Sequence, residues 1–71
     1  MKYRSYFPGD VIKLNDFNDT FLVISTLKCV PSISTSRGVV EHLHTVLSLT
    51  SGELDFDLAF FDIDELLFHI E

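Results

Sequence analysis

His42 and His44 lie two positions apart, so in a strand both project from one face, and that spacing lets two imidazoles share a metal ion once a third ligand is near. His69 or an acidic side chain would have to supply that ligand, and the linear order puts none beside them. The preferred reading of the pair is exposed strand histidines beside an acidic stretch. Asp55-x-Asp57 and Asp62-x-Asp64-Glu65 offer carboxylates for a divalent cation or for acid–base work, without the glycine-containing twelve-residue loop of an EF-hand, a nucleophile or a phosphate loop. Solvated strand-face and helix-start carboxylates account for them as well. Cys29 beside Lys28 is the lone thiol; a cation can activate such a group, but an unpaired cysteine is more commonly a small buried hydrophobe. Ser25, Ser32, Ser34 and Ser36 have no adjacent histidine to activate them, so no triad emerges. The expectation is a chain that is not an enzyme and holds no metal or cofactor.

Charge is the more informative signal. Residues 1–37 carry all five Lys and Arg against three acids, and residues 38–71 carry eight carboxylates and no Lys or Arg, so the two parts stand at +2 and −8. An acidic surface repels nucleic-acid phosphate and speeds encounter with basic surfaces. Direct nucleic-acid binding is therefore not expected, and a basic protein surface is. A single cysteine forms no internal disulfide, which makes reducing cytoplasm the default compartment, and the apolar runs at 21–24 and 66–68 are far too short to span a bilayer. Residues 1–8 have two charges with no apolar run behind them, unlike a signal peptide.

Seventy-one residues form one domain, 1–71, with a thin core, and 46% hydrophobic content with seven Phe places it outside the disordered regime. Phe7-Pro8-Gly9-Asp10 reads as a type II turn, with Pro8 at the first corner and Gly9 taking positive φ. Residues 11–14 alternate as a strand, 15–19 form a polar loop, and 20–27 are apolar on both faces, as the most central strand would be. Residues 28–38 mix Pro31, serines and Gly38 without period and read as a long mobile loop. Residues 39–50 form a third strand with Leu43, Leu47 and Leu49 on one face and Val40, His42, His44 and Ser48 on the other. Ser51-Gly52 turns the chain, and 53–58 alternate with Leu54, Phe56 and Leu58 inward and Glu53, Asp55 and Asp57 outward.

The last segment has two readings. As a helix, Asp62 is the N-cap, Glu65 its capping-box partner, and Ile63, Leu66, Leu67 and Ile70 one stripe. As a turn and strand, Leu66, Phe68 and Ile70 face inward. The order of the preceding elements favours the strand. A turn-led strand, a long central strand, a third strand, a tight hairpin, a fourth strand, a one-turn connection and a final strand resemble a Src-homology-3-like five-stranded barrel. The opening Phe7-Pro8-Gly9-Asp10-Val11-Ile12-Lys13-Leu14 is similar to the aromatic-x-Gly-Asp-Val-x-x-Leu start of many small bacterial and bacteriophage proteins of that architecture. The expected fold is thus mainly β, with a four-stranded antiparallel sheet and C-terminal helix as the alternative.

The resemblance implies binding rather than catalysis. Peptide-binding members use a Trp-containing groove and nucleic-acid-binding members are basic; this chain has no Trp and the opposite charge, so neither activity carries over. Size and acidity also resemble the small accessory proteins with which bacteriophages bind and modulate host proteins. The expected interface joins Glu53, Asp55, Asp57, Asp62, Asp64 and Glu65 as a charged rim to Phe17, Phe60 and Phe61 as apolar anchors. Self-association or particle decoration is the alternative use of surplus aromatics and edge strands.

Overall fold

The computed structural model describes every residue except Met1, Asp16 and Phe17. The fold is mainly β, with no helix among the described residues. Among the described residues seven strands follow in order: β1 Tyr3–Arg4, β2 Asp10–Lys13, β3 Thr20–Thr35, β4 Gly38–Ser48, β5 Leu54–Leu58, β6 Phe60–Phe61 and β7 Glu65–His69. Five of them form an antiparallel sheet in the order β5-β4-β3-β2-β7, and β1 and β6 form a separate antiparallel pair.

The turn at 7–10 starts the sheet. Asp10 N–H donates to the Phe7 carbonyl at 3.0 Å, the Asp10 carboxylate accepts the Phe7 N–H at 2.8 Å, and Gly9 holds φ +96°. A side chain at Gly9 would be strained by that torsion and would run into the Ile70 carbonyl oxygen. The Ile70 N–H donates to the Gly9 carbonyl at 2.7 Å, so this turn also anchors the end of the last strand. From it, Val11 and Ile12 enter the sheet fully buried.

β3 is the middle strand, in keeping with its apolar first half. Its second half departs from the mobile loop expected over 28–38: β3 runs to Thr35, and Ile33, Ser34 and Thr35 pair with Val40, Val39 and Gly38 of β4. The Thr35 hydroxyl donates to the Gly38 carbonyl and accepts the Arg37 N–H, which closes the hairpin. Periodicity missed this extension because the ladder is interrupted between Lys28 and Ile33, where the Val30–Pro31 peptide is cis.

The C-terminal helix of the alternative fold is not formed. Residues 65–69 pair with β2 instead, so the stripe at Ile63, Leu66, Leu67 and Ile70 yields to a strand ladder with a partner that had an open side. Of the inward sets of the two outer strands, only Leu58 packs against the core. Leu54 and Phe56 remain 52% and 67% exposed, and Leu66, Phe68 and Ile70 are exposed as well. Both strands lie at sheet edges, and both have broken alternation: Asp57 adopts φ +56°, and the β2–β7 register slips so that Leu67 has no opposite residue.

The core is a cluster of Tyr6, Ile12, Phe21, Val23, Val46 and Phe60, with Leu14 and Leu58 packed against it. On β4 the buried face is the one with Val40, His44, Val46 and Ser48, not the leucine face.

Candidate functional site

Among the described residues the edge strand β5 has one neighbour, β4, against which Leu54 opposes Leu47, Asp55 opposes Val46 and Leu58 opposes His44. Gly52 (φ +77°) and the Gly52 N–H bond to the Ser48 carbonyl form the connection that delivers it. Glu53, Asp55 and Asp57 are all exposed, as are Leu54 and Phe56 between them. The left-handed torsion at Asp57 is one that Asp tolerates better than most residues, and it re-aims the side chains where the strand ends. Among the described residues the one ion pair joins His69 to Asp10 at 2.7 Å, so the β5 carboxylates have no internal Lys or Arg partner.

The second acidic group lies elsewhere in the sheet order. Asp62 is exposed in the turn after β6, and its N–H donates to the Lys2 carbonyl at 2.8 Å; it caps no helix. Glu65 is exposed at the start of β7, opposite Lys13 of β2. Asp64 is buried, with its two carboxylate oxygens accepting the Phe61 N–H at 2.9 Å and the Asn15 N–H at 3.2 Å. Its carbonyl accepts the Tyr6 hydroxyl at 2.8 Å. Asp64 thus ties the β6–β7 turn to the segment after β2 and to the core. Of the expected interface carboxylates, Asp55 and Asp57 thus lie on β5 at one end of the strand order and Glu65 on β7 at the other, with Asp62 and Asp64 in the turn between β6 and β7.

The aromatic anchors divide similarly. Phe60 is fully buried, with the Tyr6 ring edge-on at 5.4 Å and the His44 ring at 5.0 Å. Phe61 is half-buried, stacked on Tyr3 at 4.6 Å and covered by the Arg37 guanidinium at 5.8 Å. Phe17 lies outside the described residues. Phe56 and Leu54, read from alternation as inward, are instead the apolar groups beside the acidic strand.

The histidines do not converge. His44 is 1% exposed, which corrects the reading of it as a surface strand residue. The Tyr6 N–H donates to its Nε2 at 3.0 Å, and its Nδ1 meets the Leu58 carbonyl at 2.7 Å. A backbone N–H can only donate and a carbonyl can only accept, so the ring is neutral with its proton on Nδ1. Burial lowers its pKa from the usual histidine value, against a smaller opposing effect of the Leu58 hydrogen bond. With both nitrogens engaged, His44 has no lone pair left for a metal. His42 is hydrogen-bonded through Nδ1 to the Ser5 hydroxyl at 2.6 Å and meets the edge of Phe7. His69 sits against Asp10 at the far edge. Among the described residues no three His, Cys, Asp or Glu side chains are placed to hold a metal ion. Cys29 is half-buried.

Two features had no signal in the sequence. The Ser5–His42 contact spans 37 positions, and Tyr6, in an unpatterned N-terminal stretch, proves to be a buried member of the core. Burial raises the pKa of its phenol. Compared with known protein families, curated proteins and solved structures, the chain has no significant match to any of them.

Proposed function

We propose that this chain is a non-catalytic protein-binding module of Src-homology-3-like architecture, which uses the acidic β5 edge to engage a basic surface of another protein. The observation that carries the reading is the exposed run Glu53-Leu54-Asp55-Phe56-Asp57 on an edge strand, without Lys or Arg counterions among the described residues. An open strand edge offers backbone hydrogen bonds to an extended segment, and side chains of alternating character set its specificity. Here the complementary segment is extended, with Lys or Arg opposite the carboxylates and apolar residues opposite Leu54 and Phe56. The strand order supports the architecture, because the last strand returns beside β2 while β3, β4 and β5 follow as a meander. A bacteriophage accessory role, acting on a host protein in the bacterial cytoplasm, suits a domain this small and this acidic.

A peptide panel tests this. Extended peptides alternating Lys or Arg with apolar residues bind the wild-type protein at low ionic strength, bind more weakly as salt rises, and lose binding to the Asp55→Lys/Asp57→Lys variant. Binding indifferent to salt and to that double charge reversal would overturn the proposal, as would the absence of any binding.

A further inference from the structure

The other end of the five-stranded sheet is β7, which has β2 on one side and no strand on the other among the described residues. Leu66, Leu67 and Phe68 on β7, and Ile70 just beyond it, are each 42 to 55% exposed there, with the first three an unbroken apolar run on an open edge. Single exposed apolar side chains are ordinary, but a contiguous run along an unpaired strand is a pairing surface unless charge, proline or a cover blunts it. The run contains neither charge nor proline from Leu66 to Phe68.

We propose that a second copy of this chain covers this edge, with β7 pairing antiparallel to its counterpart about a twofold axis at Leu67. The order of charges along the strand selects both occupant and register. Centred on Leu67, the pairing sets Glu65 opposite His69 of the second copy at both ends, with Leu66 against Phe68 and Leu67 against itself. His69 is the one nitrogen-bearing side chain of β7, a hydrogen-bonding partner for the Glu65 carboxylate, and its Nδ1 lies 2.7 Å from Asp10 Oδ1. Centred one residue later, on Phe68, an extension of the pairing past the end of β7 would bring Glu65 against Glu71, a like-charge pair that opposes association. The β5 edge has no comparable solution. Centred on Phe56 it sets Asp55 against Asp57, and centred on Asp55 it sets that carboxylate against itself. One edge is thus self-complementary and the other self-repelling, which closes the assembly at two copies and leaves β5 free.

Sedimentation velocity over a range of concentrations, together with cysteine crosslinking, tests the proposal. The wild-type protein reaches dimer mass, and Leu67→Lys raises the dimer dissociation constant by about tenfold or more while circular dichroism stays that of the wild type. In a Cys29→Ser background, Leu67→Cys forms a disulfide-linked dimer under oxidised glutathione faster than Glu53→Cys, which lies next to the opposite edge. Monomer mass at every concentration overturns the proposal. A dimer that Leu67→Lys leaves intact, or that crosslinks faster through Glu53→Cys, overturns it equally.

Discussion

At the scale of single residues, His44 shows how a polar ring becomes part of an apolar core. Its two nitrogens join the backbone of Tyr6 to that of Leu58, bringing the segment before β2 and the end of β5 onto β4. Replacing it with Ala would leave a buried donor and a buried acceptor unpaired as well as a cavity, which together destabilise by about 3 kcal/mol. Denaturant unfolding at neutral pH measures that loss. The pH dependence has a definite sign. Because burial lowers the folded-state pKa, the unfolded chain takes up the proton first, so the stabilisation is complete above about pH 6.5 and is lost as pH falls from there through the folded pKa. Over that window the wild type should lose more stability per pH unit than His44→Ala, and equal slopes for the two would refute the assignment.

At the scale of elements, β3 is flanked on both sides and β5 and β7 on one, so hydrogen exchange should be slowest for Phe21 and Val23 and faster along both edges. Amide exchange followed by NMR measures the ranking, and edge amides as protected as those of Val23 would contradict it. The middle position of this strand was legible from its double-sided apolar run, and the first turn from Pro8, Gly9 and Asp10. The distal hairpin was not, since its pairing resumes only after an interruption that erases any period. Alternation also misplaced Leu54 and Phe56. It reports which residues share a face of a strand; whether another layer covers that face depends on where the strand lies in the sheet. The carboxylates of the expected interface met the same limit. Asp55 and Asp64 are the same residue type in equally acidic surroundings, yet one is solvated and the other holds two backbone amides.

At the scale of the whole molecule, the chain carries −6 in a small fold whose acidic second half lacks Lys and Arg. Self-repulsion of this kind opposes compaction, and salt screens it over about 10 Å at 0.1 M. Raising sodium chloride from low to physiological strength should therefore raise the melting temperature by a few degrees, roughly the effect of 1 kcal/mol in a domain of this size. A scanning calorimetry series in which the melting temperature falls with salt would show that attractive pairs dominate instead. The charge imbalance was legible from composition alone. The separation of Asp55 and Asp57 from Glu65 at opposite ends of the sheet was not, because the order β5-β4-β3-β2-β7 is decided by long-range pairing.

That order has a consequence for biosynthesis. Val11 and Ile12 pair with β3 soon after they are made, but their other neighbours, Phe68 and Leu66, are translated more than fifty codons later. Until then the nascent chain presents a three-residue ladder with one bare side, and Gly9 waits for the Ile70 amide. Completion of the sheet is thereby deferred until the ribosome has released residues 65–70, and the growing polypeptide depends in the interval on whatever shields that bare side from other chains.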